Sequence, residues 1–225
     1  EKGIKPGMGL GSSAASAVAT IYALNLLFDL NLTRKDLIRF SAQGEKASAG
    51  TAHADNVSAS ILGGFVLVKP QSYEAISIEP PSNLVFCVAM PDIKPPPKKT
   101  GVARSVLPRY VSLGKLVHNT SMACWMVASL MGGDVVAFGR AMEDIIVEPR
   151  RAKMIPGYSD VKKLALEAGA AGVVISGAGP TMLAAVDRTK TEPEAVAEAM
   201  RRGFESAGLT SHCYVTKPGR GASTI

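Results

Sequence analysis

The sequence predicts an α+β fold in two domains, the second with a ferredoxin-like, split βαβ order of elements. Three observations carry this prediction. A glycine-rich segment at residues 6–11 leads directly into an alanine-rich, helix-forming stretch. The pair Pro80-Pro81 marks a boundary. Beyond it, with additional helices set aside, the apolar patterns follow the order strand, helix, strand, strand, helix, strand. We therefore assign residues 1–80 to the first domain and residues 81–225 to the second.

The spacing of apolar residues gives the elements of each domain. In the first it predicts three helices and then two strands, over residues 11–29, 34–47, 55–62, 64–69 and 71–79. In the second it predicts strands over 84–90, 172–175, 181–186 and 212–217. The helices predicted there cover 113–131, 134–146, 159–168 and 191–207.

Local signals refine these elements. Thr33 and Asp36 have the spacing of a capping box at the start of the second helix. Thr191 has the spacing to cap the last helix together with Glu194. One face of the helix over 113–131 is expected to pack against the core. This face carries Met122, Trp125, Met126 and Leu130.

The composition indicates a folded protein that binds neither membranes nor nucleic acid. Of 225 residues, 47% are hydrophobic and 20% are charged, and no apolar run resembles a membrane span or a signal peptide. The net charge of +6 is scattered, and with 5% aromatic residues there is no basic stripe with stacking rings. Cys87, Cys124 and Cys213 lie far apart, are odd in number and have apolar surroundings, which favours buried free thiols in a reducing, cytoplasmic compartment.

The glycine-rich segment is the main candidate for chemistry. A loop of this kind that opens onto a helix lets backbone N–H groups approach a phosphate, and the helix dipole adds to the attraction. The serine hydroxyls could cap the helix or reach a phosphate-bound metal. The segment consists of Pro6, Gly7, Met8, Gly9, Leu10, Gly11, Ser12, Ser13, Ala14, Ala15 and Ser16.

Two other known loop motifs resemble this segment in part. A dinucleotide fingerprint would fit Gly9-x-Gly11-x-x-Ala14, with Asp29 downstream, but it requires a strand before the loop and none is predicted. A Walker loop is excluded, because no Gly-Lys-Ser/Thr follows. The local pattern leaves two possibilities open, a phosphate-binding loop and a plain turn before a serine-capped helix.

Residues 6–15, Pro-x-x-Gly-Leu-Gly-Ser-Ser-Ala-Ala, resemble the signature loop of the superfamily of galactokinase, homoserine kinase, mevalonate kinase and phosphomevalonate kinase. Two further segments resemble the homoserine kinase branch of it. They are Gly-Glu followed after seven residues by His-Ala-Asp-Asn, at 44–56, and Ile-Ser-Gly-Ala-Gly-Pro-Thr, at 175–181. The similarity runs from residue 6 to the end of the chain.

This resemblance implies a small-molecule kinase fold and an activity. The activity is ATP- and Mg²⁺-dependent phosphorylation of the side-chain hydroxyl of L-homoserine to O-phospho-L-homoserine, in threonine biosynthesis. The family also carries a substantial portion ahead of the phosphate loop. Because this chain begins with Glu1 and has no strand before the loop, we expect an N-terminal truncation and an incomplete first domain. A homodimer is compatible with the sequence.

Magnesium ligands are expected from Ser13 and Glu45, because one hydroxyl and one carboxylate suffice for a cation that keeps its waters. The resemblance assigns magnesium to the same two positions. The alternative for Glu45 is a helix-surface carboxylate paired with Lys46 or Lys35.

Other site residues follow from the resemblance. It implies that Asn56 orients the attacking hydroxyl, since an amide cannot act as a general base, and that the hydroxyl proton passes to phosphate. His53 is treated as a structural hydrogen-bonding residue at the substrate. Arg104 and Arg151 match the arginines that bind the substrate's carboxylate and hydroxyl region, a role that suits a planar guanidinium fork. Arg150 is the ambiguous neighbour of Arg151.

Gly177 and Gly179 belong to a second glycine-rich loop. By itself it is a hairpin turn; the resemblance adds that it braces the phosphate loop, and both roles can hold together. Two alternatives to a homoserine kinase stay open, a mevalonate-type kinase of the same superfamily and a non-catalytic nucleotide-binding fragment.

Overall fold

A computed structural model of the chain describes residues 2–49, 54–94 and 99–224. Its contacts divide into two compact units. Unit 1 comprises Glu1–Pro6, Leu10–Glu79 and Pro218–Ile225, and unit 2 comprises Gly7–Gly9 and Pro80–Lys217. Pro218–Ile225, expected in the second domain, groups instead with unit 1, where the Ala222 N–H donates to the Ser60 carbonyl (3.0 Å).

Unit 1 is built from helices and one hairpin. In order these are α1 (Ser12–Leu27), α2 (Arg34–Ala49), α3 (Asp55–Leu62), β1 (Phe65–Val68) and β2 (Ala75–Ile78). The two strands pair antiparallel. β2 begins later than predicted because Gln71 and Tyr73 take positive φ values of 63° and 55°, which turn the chain between the strands.

The helices of unit 1 form where the sequence predicts them. The capping box is confirmed: the Thr33 N–H donates to Asp36 Oδ2 (3.3 Å), and the Asp36 N–H donates to Thr33 Oγ1 (3.1 Å). The three helices bury one core, because their apolar residues recur every three or four positions. This core contains Ala14, Val18, Leu37, Ile38, Ala42, Val57 and Ile61.

Unit 2 alternates strands with helices of varied length. In order these are β3 (Leu84–Pro91), α4 (Lys99–Ser105), α5 (Leu113–Met131), α6 (Val135–Arg140), α7 (Glu148–Arg151), a 3₁₀ turn (Ala152–Met154), α8 (Tyr158–Glu167), β4 (Gly172–Ile175), β5 (Met182–Asp187), α9 (Pro193–Glu205) and β6 (Ser211–Thr216). Every strand pair is antiparallel, in the order β4-β5-β3-β6. The predicted ferredoxin-like split βαβ arrangement is confirmed.

The core of unit 2 lies between one face of this sheet and two helices, α8 and α9. Alternate residues along β3 and β5 point into it, as the two-residue period of a strand requires. They are Val85, Cys87, Ala89, Met182, Ala184 and Val186. Burial raises the pKa of the Cys87 thiol to about 12. On the other face, the ring of Phe86 makes an edge contact with that of Phe138 in α6, with centroids 6.5 Å apart.

Four predictions for unit 2 were wrong. Cys124, expected to be a buried thiol, is exposed. The helix expected over 134–146 ends at Arg140, and Asp144 lies beyond it, where its carboxylate accepts backbone N–H groups that follow it. The Trp125 side chain, expected in the core, is 62% exposed, whereas Leu130 is buried. Thr191 does not cap α9, since its hydroxyl donates to the Gly169 carbonyl (3.1 Å).

Across the part of the chain that the structure describes, no helix combines the length and apolar character needed to cross a bilayer.

The backbones of α6 and β4 approach one another closely at two glycines. A Cβ placed on Gly139 would lie 2.4 Å from an Ala171 backbone carbon, and one on Gly172 would lie 1.9 Å from the Gly139 carbonyl oxygen. Real Cβ atoms do not tolerate such separations, so this crossing depends on the absence of side chains.

We therefore expect Gly139→Ala to lower the thermal midpoint, by overpacking that costs about 1–3 kcal/mol. Gly114→Ala in α5 is the matched control, because among the described residues, its chain neighbours and the adjacent backbone of α5 apart, no heavy atom lies within 4 Å of its added Cβ. Alanine is the better helix former, so the control should keep or raise the midpoint. Equal midpoints for the two variants in a calorimetric scan would contradict the packing of α6 on β4.

Candidate functional site

The path of the first glycine-rich loop depends on left-handed backbone conformations. Gly7, Gly9 and Gly11 have φ values of 77°, 86° and 70°, which residues with a Cβ rarely adopt. Met8, between the first two, is fully buried and anchors the loop. The loop ends at Gly11, the N-cap of α1.

The start of α1 presents the backbone groups that the sequence predicts. The first N–H groups of any helix have no acceptor within it, so they can bind an anion. The Ser12 hydroxyl, however, donates its hydrogen bond to the Ile4 carbonyl (2.9 Å). Its proton is therefore already used in a contact within the chain. Ser13 is exposed, and Ser16 is also exposed, with its hydroxyl directed to the Ser12 carbonyl (3.3 Å).

Ser13 and Glu45 line the same recess of unit 1. The recess has a volume of about 390 Å³ and is also bordered by Lys2 and Ser16. Glu45 is only 5% exposed, which disfavours a helix-surface carboxylate. Lys35, one partner considered for it, bonds instead to Glu74 (3.5 Å).

Close packing of two helices places these side chains together. A Cβ on Gly44 of α2 would lie 3.2 Å from the Ala17 Cβ of α1. The recess therefore offers oxygen donors from both helices, a set that suits Mg²⁺ better than softer metals. Among the residues that the structure describes, no three His, Cys, Asp or Glu side chains are grouped to hold a metal. A cation bound here would take its other ligands from water and phosphate.

Asn56 lies beside the glycine-rich loop. It is an exposed residue in the first turn of α3, and its Oδ1 would be 3.6 Å from a Cβ placed on Gly11. Its backbone N–H donates to Asp55 Oδ1 (2.8 Å). The Asn56 amide is therefore close to the start of α1. His53 lies outside the described residues.

The second glycine-rich loop, residues 176–180, joins β4 to β5 and packs against the first loop within unit 2. The Ser176 hydroxyl donates to the Gly9 carbonyl (3.0 Å), and the Thr181 N–H donates to the Met8 carbonyl (3.3 Å). A Cβ on Gly177 would lie 2.9 Å from the Gly9 oxygen. Gly177 and Gly179 have positive φ values of 53° and 70°.

Arg151, on α7, reaches this second loop. Its Nη1 donates to the Gly177 carbonyl (2.9 Å) and its Nε to the Ala103 carbonyl (3.4 Å). Burial lowers the pKa of Arg151, Asp144 partly offsets this effect, and the charge of Arg104 lowers the pKa further. The repulsion that Arg104 exerts on Arg151 would be offset by a bound anion, because an opposite charge favours the charged form of the guanidinium. Arg150, by contrast, is simply exposed.

One residue near the site was missed by the sequence reasoning. The Asp144 carboxylate accepts backbone N–H groups from Ile146 and Val147 (2.8 Å each) ahead of α7. Burial raises the pKa of Asp144, but these bonds, with one from Asn119, bring it below its ordinary value. Pro149 is the sequence signal for the start of α7, the helix that Asp144 precedes, because proline is favoured in a first helical turn.

Two family models and several known proteins match this chain. Residues 1–64 match the family model described as GHMP kinases N terminal domain, and residues 126–206 match GHMP kinases C terminal. The chain is 46% identical over 210 residues to the homoserine kinase of Thermoplasma volcanium, covering 93% of this chain and 67% of the relative. It is 42% identical over 225 residues to that of Methanocella arvoryzae, covering 100% and 72%.

A solved structure gives the same result. The crystal structure of homoserine kinase from Cytophaga hutchinsonii superimposes with a TM-score of 0.89 at 39% identity, over 98% of this chain and 69% of that one. Sequence and fold thus agree along almost the entire chain. The chain therefore belongs to the GHMP kinases and, among them, to the homoserine kinase family.

Proposed function

We propose that this chain transfers the γ-phosphoryl group of ATP to the side-chain hydroxyl of L-homoserine, giving O-phospho-L-homoserine for threonine synthesis. The observation that carries this proposal is the identity of 46% to a homoserine kinase over 93% of the chain. Features within each unit support it physically: the recess at Glu45 in unit 1, and the packed glycine-rich segments with Arg151 in unit 2. Each of these groups has a role in phosphoryl transfer, which depends mainly on positioning and on neutralising charge.

The phosphates of ATP are assigned to residues 6–16, with support from residues 177–179. In this assignment the leading N–H groups of α1 bind phosphate oxygens, and the positive end of the helix dipole adds to the attraction. Gly11 permits this approach because it has no side chain and takes a positive φ. The contacts of Ser176 and Gly177 with the Gly9 carbonyl fix the position of the loop before a nucleotide arrives.

Mg²⁺ is assigned to Ser13 and Glu45. The oxygen donors and the buried carboxylate of the recess fit a hard divalent cation. When bound, the cation would neutralise charge on the β- and γ-phosphates. Ser13 and Glu45 would hold it, and the burial of Glu45 would keep bulk water from weakening this interaction.

The acceptor is assigned to Asn56 and the two arginines, with His53 nearby in sequence. We expect Arg104 and Arg151 to bind the carboxylate of homoserine, because a guanidinium fork matches two carboxylate oxygens. The Asn56 amide would orient the hydroxyl toward the γ-phosphorus. The new bond joins the hydroxyl oxygen to phosphorus, the bond to ADP breaks, and the hydroxyl proton ends on a phosphate oxygen.

A substrate panel tests the assignment. We expect kcat/KM for L-homoserine to exceed the values for mevalonate and shikimate by at least ~100-fold in a coupled ADP-release assay, because a site built for a charged, hydrogen-bonding substrate rejects poor matches strongly. Turnover of mevalonate alone would assign the chain to a mevalonate-type kinase. If ATP with Mg²⁺ raises the thermal midpoint and no acceptor turns over, the chain is a nucleotide-binding protein.

The metal assignment is tested by Glu45→Gln, which keeps the shape of the side chain and removes its charge. We expect kcat to fall ~100-fold or more and half-maximal activity to need a higher Mg²⁺ concentration, since one electrostatic group at a reacting phosphate is commonly worth that much. Ser13→Ala should shift the Mg²⁺ dependence in the same direction.

Glu74→Gln is the control, because Glu74 also lies in unit 1 but is an exposed carboxylate paired with Lys35 and Lys69. It should leave the Mg²⁺ titration unchanged. A Mg²⁺ titration of Glu45→Gln that coincides with that of Glu74→Gln would exclude Glu45 as a ligand.

A further inference from the structure

The helix that carries Arg151 is too short to be stable by itself. α7 spans only Glu148–Arg151, four residues, and a helix needs several turns before its hydrogen bonds offset the cost of nucleation. Its position must therefore be set by contacts from other elements. The proposed site depends on that position, because Arg151 is the last residue of α7.

The first of these contacts is a buried cluster around Glu148. The Glu148 side chain is 7% exposed, and its Oε1 accepts hydrogen bonds from Lys162 Nζ (2.6 Å) and from the Tyr158 hydroxyl. Lys162 Nζ also donates to the Tyr158 oxygen (3.2 Å) and lies 5.7 Å from the centre of its ring. Both partners belong to α8 and are four residues apart, so they present one face of that helix to Glu148.

Tyr158 takes part in the cluster as a hydrogen-bond donor. Burial, followed by the hydrogen bond to Glu148 and its charge, raises the pKa of Tyr158. The tyrosine therefore stays protonated and continues to donate. Lys162 supplies the positive charge that a buried carboxylate requires.

The second contact acts on the same helix from its amino-terminal side. Asp144 accepts N–H bonds from Val147 (2.8 Å) and Glu148 (3.3 Å) and one from the side chain of Asn119 in α5 (2.8 Å). Together, Asp144 and Glu148 fix the first turn of α7. Arg151 follows Glu148 by three residues, which is slightly less than one helical turn and about 4.5 Å of rise.

From this fixed turn, Arg151 donates hydrogen bonds to two other segments. One acceptor is the carbonyl of Ala103, the residue before Arg104, and the other is the Gly177 carbonyl in the second glycine-rich loop. A rotation of α7 would change both contacts at once. A stability role alone explains the Glu148 cluster poorly, because a buried ion pair is often no more stabilising than an apolar group of the same volume.

We propose that Glu148, held by Lys162 and Tyr158, is a positioning residue that sets the Arg151 guanidinium for the acceptor. The proposal rests on the assignment of Arg151 to the acceptor made under the proposed function. Glu148 does not touch the substrate in this account. Its charge fixes α7 against α8, and α7 fixes the direction in which Arg151 extends.

The test compares Glu148→Gln and Tyr158→Phe with Asp187→Asn. Asp187 is a matched control, since it is a buried carboxylate of unit 2 (6% exposed) that accepts bonds from Asn83 (2.9 Å) and Thr189 (2.6 Å) at the end of β5. We expect Glu148→Gln to raise the KM for homoserine ~10-fold or more, because a misplacement near 1 Å can cost 100-fold. The KM for ATP should change less than ~2-fold, and Tyr158→Phe should show a smaller effect of the same kind.

A second readout needs no substrate. Amide hydrogen exchange over residues 101–105 and 176–179 should become faster in Glu148→Gln and Tyr158→Phe, but not in Asp187→Asn. If Glu148→Gln does not fold, Tyr158→Phe carries the test, because it removes only a hydroxyl.

Three results would overturn the proposal: unchanged exchange in both segments, equal rises of both KM values, or a homoserine KM that rises as much in Asp187→Asn. Absence of homoserine turnover by the unmodified protein would instead remove the proposed function. In that case the exchange data alone decide whether Glu148 positions Arg151.

Discussion

The close approach of Gly9 to the second glycine-rich loop is the constraint on which the proposed site depends. A Cβ on Gly9 would lie 2.3 Å from the Ser176 carbonyl oxygen and 2.7 Å from that of Gly179. Two polypeptide segments that are far apart in sequence therefore meet backbone to backbone. The hydrogen bond from the Ser176 hydroxyl to the Gly9 carbonyl holds them there, and the buried Met8 side chain anchors the same turn. Glycine at residue 9 is thus required for packing as well as for its positive φ.

This contact is one end of a series that continues through unit 2. Gly177 lies against the Gly9 carbonyl, the Gly177 carbonyl accepts a bond from Arg151, and Arg151 extends from the short helix α7. The first glycine-rich loop and the proposed acceptor arginine are therefore connected through backbone carbonyls, whose positions are more restricted than those of exposed side chains. In unit 1, the continuation of the same loop forms the start of α1, beside Asn56 and above a core of packed helices. Preorganisation of this kind is what phosphoryl transfer requires, because its catalysis consists mainly of positioning and charge.

Much of the fold could be predicted from the sequence, because its signals are local. The Thr33–Asp36 capping box and the two-residue alternation of the strands depend on neighbours within a few positions. Predictions failed where distant groups decide the outcome. Thr191 has the spacing of a helix cap, but its hydroxyl donates a hydrogen bond to the Gly169 carbonyl instead. Trp125 has the spacing of a core residue, yet most of its side chain is exposed.

The same distinction applies to the site. Ser13 and Glu45 could be singled out from residue type and helical spacing, and the structure brings them to one recess. Two other features depend on tertiary contacts, so no local pattern indicates them. They are the hydrogen bond from the Ser12 hydroxyl to the Ile4 carbonyl and the contacts of Glu148 with α8. The assignment of residues 6–16 to ATP remains a proposal that a binding measurement can decide.

Isothermal titration of ATP into Gly9→Ala, with Gly3→Ala as the control, tests the central claim most directly. Within the described residues, the chain neighbours of Gly3 apart, no heavy atom lies within 4 Å of a Cβ added to it, so the control should bind ATP as the unmodified protein does. Gly9→Ala should remain folded by circular dichroism and lose ATP affinity by ~10-fold or more, a change of about 1.4 kcal/mol. Unchanged ATP affinity in folded Gly9→Ala would show that the close approach of the two glycine-rich loops does not form the phosphate site.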